Sequence, residues 1–140
     1  MIEAAVVKKM IRDAEKRLAN VREKGYQSRA DLNRLNQFAS DHQRAQYAAS
    51  QDLEERRMAL ATNSIDASRV RIMEGLTRFW SEQLDAGNAQ LSKMEEQKRL
   101  IWQERERLEE AVNRYRFEEM QCEDSLRELK KLLLKVEAGG

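Results

Sequence analysis

Apolar residues recur at spacings of three and four positions along the second half of the chain. Fifteen of the twenty positions on this line are apolar, and its phase does not slip over about ten heptads. A heptad pattern sustained this far predicts a coiled-coil helix. The line, called seam 2 here, consists of Val70, Met73, Thr77, Trp80, Leu84, Gly87, Leu91, Met94, Lys98, Ile101, Arg105, Leu108, Val112, Tyr115, Glu119, Cys122, Leu126, Leu129, Leu133 and Val136.

The first half carries a weaker line with the same spacing, called seam 1. Eleven of its sixteen positions are apolar, and several of these are alanine, which buries little area. Its residues are Val7, Ile11, Ala14, Leu18, Val21, Gly25, Ser28, Leu32, Leu35, Ala39, His42, Gln46, Ala49, Leu53, Arg56 and Leu60. The first helix is therefore expected to be the less stable partner.

The stretch "ATNSIDAS" separates the two seams and provides the turn signals. Asn63 can adopt the left-handed conformation that ends a helix, and Ser64 or Asp66 can cap the next helix. The whole chain contains no proline and only five glycines, so few of its residues interrupt a helix.

These features predict an all-α fold, a long two-helix antiparallel coiled-coil hairpin that forms one rod-shaped domain over residues 1–140. Helix one is predicted over 2–62, the turn over 63–66 and helix two over 67–137. A turn centred near residue 65 makes positions whose numbers sum to about 130 face each other, so Tyr26 is expected near Trp102, as an aromatic pair that flanks the seam and buries the edge of the indole. One alternative stays open, in which the two halves do not fold back and instead pair between chains as a long parallel dimer.

Charge composition argues against a nucleic-acid or acidic-membrane partner. Charged residues make up 36% of the chain, but 26 Lys and Arg are interleaved with 25 Asp and Glu. The basic cluster that includes Lys8, Lys9 and Arg12 also contains Asp13 and Glu15 and has no aromatic residue to stack on bases. Charge is therefore interpreted as solvation and helix pairing.

The chemistry of an active site is missing from the sequence. His42 is the single histidine, and no glycine-rich phosphate loop is present, so we predict no catalytic, cofactor-binding or metal-binding residues and no enzyme activity. Cys122, the single cysteine, lies on seam 2 and favours a small buried thiol in a reducing compartment, the cytoplasm. No apolar run is long enough to span a bilayer.

Two sets of apolar residues lie off the seams. Ile72, Leu76 and Phe79 form a stripe beside Met73 and Trp80, close to the predicted turn. Either the end of helix one, with Met58, covers this stripe, or the stripe is a docking patch with Phe79 and Trp80 as anchors. The second set lies towards the predicted open end and would suit a hole that receives the rod; it comprises Phe117, Met120 and Leu134.

Three stretches resemble a known family. "LNRLNQFASDHQRAQY" precedes the predicted turn, "RIMEGLTRFWSEQLDAGNAQL" follows it, and "WQERERLEEAVNRYRFEE" lies further on. Together they resemble the flagellar export protein FliJ and its SctO-like counterparts in type III secretion systems, which are short cytoplasmic antiparallel coiled coils.

The resemblance implies a non-enzymatic stalk of a flagellar or type III export apparatus, located in the cytoplasm beside the membrane-embedded machinery. Its open end would enter a hexameric export ATPase, with candidate contacts at Lys8, Lys9, Arg12, Phe117, Met120 and Leu134. The early second helix would touch the cytoplasmic domain of the export gate, through a face that includes Met73, Leu76, Thr77, Trp80 and Leu84. The resemblance also implies secretion chaperones as candidate partners.

The alternative function is a coiled-coil export chaperone or a general helical adaptor. In that case the exposed apolar stripes would hold an unfolded or helical client, and no ATPase would be affected.

Overall fold

Two helices make up the fold in the computed structural model of the chain. The model describes residues 3–67 and 72–139, and it leaves the side chains of 63–67, 72–74, 76 and 77 undescribed. Helix α1 spans Ala4–Ala67 and helix α2 spans Ile72–Gly139. No strand occurs within 3–67 or 72–139. The helices pack against each other, which confirms the predicted all-helical class with two helices in contact.

The position of the turn differs from the prediction. α1 includes residues 63–66 and extends to Ala67, whereas residues 68–71, where helix two is predicted to begin, lie outside the described part of the structure. Asn63, Ser64 and Asp66 permit a helix end but do not force one, because inside a helix each costs less than about 0.7 kcal/mol relative to alanine. With no proline or glycine between Gly25 and Ala67, the backbone hydrogen-bond ladder of α1 meets no helix breaker over residues 63–66.

The chain divides into two compact units. Unit 1 comprises Met1–Arg34 and Arg105–Gly140, and unit 2 comprises Leu35–Glu104. Each unit contains part of α1 packed on part of α2.

Contacts within unit 1 correct the predicted register. Gly25 packs against Tyr115, with 3.5 Å between an ideal Gly25 Cβ and the Tyr115 Cβ, instead of lying opposite Arg105. The reason is that α1 is still helical at 63–66, where the turn was predicted, so the residues of α2 that face α1 are shifted by about ten positions. Within this unit, residues later in α1 contact residues earlier in α2. Lys8 pairs with Glu137, and Arg22 pairs with Glu119 and Glu123.

The seam positions form the core of both units. Every seam 1 position is buried or half-buried, and so is every seam 2 position with a described side chain except Lys98. Unit 1 holds one cluster of buried residues: Val7, Ile11, Leu18, Val21, Cys122 and Leu126. Sequence periodicity therefore identified the core-facing residues correctly among the described side chains, with Lys98 as the exception, while the predicted register between the helices was wrong.

Candidate docking surfaces

The predicted gate-docking stripe begins at the first residue of α2. Ile72, Met73, Leu76 and Thr77 belong to this stripe, and their side chains lie outside the described part of the structure. Among the described members, Leu84 is half-buried on seam 2. The site can therefore be assessed only through Phe79, Trp80 and their neighbours.

Phe79 and Trp80 form an aromatic pair on α2. Their ring centroids are 5.7 Å apart and the ring planes meet at 72°, an edge-to-face arrangement. Phe79 remains 49% exposed, while Trp80 is half-buried on seam 2. Half of one aromatic ring thus stays in water, held in a fixed orientation by its neighbour.

Met58 does not provide the cover that one sequence hypothesis assigned to it. Its side chain is 66% exposed, more than that of Phe79. A methionine that wrapped over the stripe would have buried most of its own surface. Met58 is therefore not part of a cover over Phe79, and the side chains at the end of α1, residues 63–67, lie outside the described part of the structure, so both hypotheses for this stripe stay predictions.

The residues predicted to face an ATPase all belong to unit 1, where they form two groups. Lys8, Lys9, Arg12 and Leu134 are exposed, and Lys8 Nζ lies 3.8 Å from Glu137 Oε1. Phe117 and Met120 lie elsewhere, because the adjacent Glu119 contacts Arg22. About 20 Å of helix separates Met120 from Leu134 at the α-helical rise. The six residues therefore do not form one patch.

Exposed apolar side chains occur in both groups. Phe117 is 60% exposed, Met120 61% and Leu134 68%. Phe117 and Met120 are three residues apart and so share a face of α2. These high exposures are expected for side chains that lie off the seams and do not pack between the helices.

Polar bridges between the helices escaped the sequence analysis. Arg22 donates from Nε to Glu119 Oε1 and from a terminal nitrogen to Glu123 Oε1, each at 3.0 Å. The hydrogen bond from Glu119, then that from Glu123, raises the pKa of the Arg22 guanidinium. This bridge explains why a glutamate occupies seam 2 at position 119. It could not be found with the predicted register, which sets Arg22 opposite other residues.

Unit 2 uses a different set of polar bridges. Arg56 donates to the Gln83 backbone oxygen at 3.0 Å and lies 2.7 Å from Asp52. His42 Nε2 is 3.3 Å from Gln97 Oε1, and Gln46 donates to Glu95. All three α1 residues are the polar positions of seam 1 in this unit, so side-chain pairing takes the place of apolar packing there.

Glu96 and Arg99 form an ion pair on the surface of α2. Arg99 Nε donates to Glu96 Oε2 at 3.2 Å. This hydrogen bond lowers the pKa of Glu96 and raises that of Arg99. Both groups are exposed and both belong to one helix, so the pair supports the helix locally and marks no reactive site.

Several further large apolar side chains are exposed and were not predicted as surface features. They are Val6, Met10, Tyr26, Phe38, Tyr47, Leu100 and Trp102, each at least 46% exposed. Their common sequence signal is a large apolar residue off the heptad line. A search for off-seam residues along the whole chain would have found them.

Metal-ligating side chains do not cluster in the part of the chain that is described. No three His, Cys, Asp or Glu side chains there are grouped to hold a metal ion. The Cys122 thiol is buried in the unit 1 core. No described helix is long and apolar enough to cross a membrane.

Comparison with models of protein families, with curated proteins and with solved structures gave no match to this chain.

Proposed function

We propose that the chain is a non-enzymatic stalk that couples a hexameric cytoplasmic ATPase to a protein-export gate, of the flagellar or type III secretion kind. In this proposal α1 and α2 form an antiparallel coiled-coil hairpin. The open end enters the ATPase, and the early part of α2 docks on the cytoplasmic domain of the gate. The protein then resides in the cytoplasm at the periphery of the export apparatus.

The main support is the aromatic pair Phe79 and Trp80, in which Phe79 is exposed and Trp80 is half-buried on seam 2. Phe79 is held edge-to-face by Trp80 and still exposes 49% of its surface. Aromatic side chains carry much of the binding energy at protein interfaces, and a pre-oriented ring loses little conformational entropy on binding. The exposed residues Phe117, Met120 and Leu134 supply further apolar contact residues in unit 1, at two levels about 20 Å apart along α2.

Gate docking is tested by a pull-down from the native cell with Phe79→Ala plus Trp80→Ala. Loss of two anchors is expected to lower capture of an export-gate component by about tenfold or more. Phe38→Ala plus Tyr47→Ala is the matched control, because it removes two exposed aromatics from α1 in the same unit. An unchanged partner list for the first variant, with helical content retained, would contradict docking at this pair.

ATPase coupling is tested in a purified system. The wild-type chain is expected to cosediment with the hexameric export ATPase and to raise its turnover. Leu134→Glu should weaken both effects, because it places a charge on a 68% exposed apolar contact residue. Leu100→Glu, at a 51% exposed leucine in unit 2, is the matched control. Equal loss in both variants would argue against an ATPase contact at Leu134.

A second candidate function is that of an export chaperone or helical adaptor. A protein with this function would not change the activity of an ATPase. The observation that favours it is the group of exposed Phe38, Tyr47, Leu100 and Trp102 within unit 2. A client-binding protein would lose its client in the Phe38→Ala plus Tyr47→Ala variant and would leave ATPase turnover unchanged. The two functions therefore predict opposite results for the same pair of variants.

A further inference from the structure

Charges of alternating sign flank the seams of both helices in unit 1, at intervals of seven residues. On α1 each directly follows a seam 1 position, and the series is Lys8, Glu15 and Arg22. On α2 each directly follows a seam 2 position, and the series is Glu109, Arg116, Glu123, Lys130 and Glu137. Residues next to a coiled-coil seam lie beside the partner helix, where their charges influence how the helices pair. The two series together are called the charge ladder here.

The structure pairs opposite charges at both ends of the α1 series. Lys8 Nζ lies 3.8 Å from Glu137 Oε1, and an Arg22 terminal nitrogen lies 3.0 Å from Glu123 Oε1. The two α1 residues are fourteen positions apart, and so are their two partners on α2. Both bridges therefore belong to one register between the helices.

The middle of the charge ladder follows the same register. Glu15 and Lys130 each lie midway between the two bridges on their own helices, so they lie level with each other with opposite charges. One heptad beyond Arg22, Arg29 lies level with Arg116, and the alternation ends there. The observed register thus places opposite charges level at three successive positions.

A slide of α2 along α1 by one heptad, about 10 Å, inverts this pattern. Such a slide again places seam against seam, so the apolar residues alone permit it. In one direction it brings together the like-charged pairs Lys8 and Lys130, Glu15 and Glu123, and Arg22 and Arg116. In the other direction it brings together Glu15 and Glu137, and Arg22 and Lys130. Only Arg29 gains, because it meets a glutamate in either direction.

We propose that the charge ladder is a register latch, which holds α2 against sliding along α1 in unit 1. The seams repeat every heptad, whereas the charges repeat every two heptads, so a slide of one heptad replaces attraction by repulsion. A partner that pushes or pulls on one helix of unit 1 then moves both helices together. The latch requires only the chain itself and is independent of the proposed stalk function.

Two pairs of introduced cysteines measure the register, both in a Cys122→Ala chain without its own thiol. Gly25→Cys plus Tyr115→Cys reports the observed register, because an ideal Gly25 Cβ lies 3.5 Å from Tyr115 Cβ, within reach of a disulfide. Leu18→Cys plus Tyr115→Cys reports the slid register, because Leu18 is one heptad from Gly25 along α1. The two disulfide yields are compared after oxidation of dilute protein.

Reversal of the α1 series is the main test. The reversed-ladder variant carries Lys8→Glu, Glu15→Lys and Arg22→Glu. It places like charges level at three positions in the observed register and opposite charges level at the same positions after a slide of one heptad. The yield of the slid-register disulfide relative to the observed-register disulfide should rise by about tenfold or more over the wild-type ladder.

The matched control reverses three charges on the outer side of α1. It carries Lys9→Glu, Lys16→Glu and Glu23→Lys. These residues are exposed, each directly follows a ladder residue, and a helical step of about 100° carries them away from α2. The net charge changes by the same amount as in the reversed-ladder variant, and both disulfide yields should stay at their wild-type values.

A rescue variant adds reversal of the α2 partners to the reversed ladder. It carries in addition Glu119→Lys, Glu123→Lys, Lys130→Glu and Glu137→Lys. Opposite charges are then level again in the observed register, so the observed-register disulfide should return. Circular dichroism of each variant measures its helical content. If the reversed ladder unfolds, recovery of helix and of this disulfide in the rescue variant supports the latch, and lack of recovery overturns it.

Three further results would overturn the proposal. One is a folded reversed-ladder variant that forms only the observed-register disulfide, because seam packing alone would then set the register. Another is an equal rise of the slid-register disulfide in the matched control. The third is a rescue variant that keeps the slid register.

Discussion

Units 1 and 2 contain the same two helices and the same heptad spacing, yet their cores differ. Eight of the nine buried hydrophobic residues belong to unit 1, and Leu53 represents unit 2 among the described side chains. In unit 2 the seam contains Ala39, His42, Gln46 and Arg56, which are half-buried. Regular spacing therefore decides which face of a helix turns inward, while side-chain volume and polarity decide how much apolar surface that face removes from water.

The difference in core quality predicts a difference in sensitivity to truncation, and this is the largest expected effect. Leu126→Ala in unit 1 removes a side chain that is 6% exposed and should lower the free energy of unfolding by about 2–4 kcal/mol. Leu35→Ala in unit 2 removes a half-buried leucine and should cost about half as much. Urea unfolding followed by circular dichroism measures both. Equal losses would show that the two units are equally well packed.

Two glycines on the seams, one in each unit, allow packing in the two units to be compared by adding a single methyl group. A Cβ at Gly25 in unit 1 meets Tyr115 Cβ at 3.5 Å, an ordinary contact, whereas a Cβ at Gly87 in unit 2 comes within 2.7 Å of Leu53 Cδ1. Gly25→Ala should therefore raise the free energy of unfolding by about 1 kcal/mol, the gain in helix propensity. Gly87→Ala should lose that gain, because buried Leu53 must change rotamer.

The reference for the glycine pair is Gly75→Ala. Among the described residues nothing lies within 4 Å of a Cβ at Gly75, so this variant reports helix propensity alone. Thermal unfolding of the three variants measures the effects. If Gly87→Ala stabilises as much as Gly75→Ala, the close approach of Leu53 carries no energetic consequence.

The smallest expected effect is a difference in salt dependence between variants that remove a polar bridge in unit 1 and in unit 2. Arg22→Met removes the charged bridge to Glu119 and Glu123 in unit 1 and should lower the unfolding midpoint slightly at low ionic strength. The loss should disappear at about 1 M salt, where the Debye length is about 3 Å. Gln46→Met in unit 2 removes an amide donor, so its effect should depend less on salt. Equal salt dependence in the two variants would contradict this assignment.

Much of the candidate docking region was predictable from residue type and spacing. Phe79, Phe117, Met120 and Leu134 were identified as off-seam apolar residues, and all four are exposed. The separation of Met120 from Leu134 along α2 follows from the helical rise and was predictable. Which residues of α1 lie level with each of them was not predictable, because that depends on the register between the helices. The Arg22 bridge was missed for the same reason.

The sequence by itself determined that the chain forms two long helices and which face of each turns inward. Both properties depend on local physics: the heptad spacing of apolar residues and the near absence of helix breakers between Ala4 and Gly139. Only the tertiary structure decided where the first helix ends and which residues face each other. Sliding one helix by a heptad again places seam against seam, so periodicity leaves the register open. Specific contacts close that choice, among them Gly25 against Tyr115 and Arg22 with Glu119.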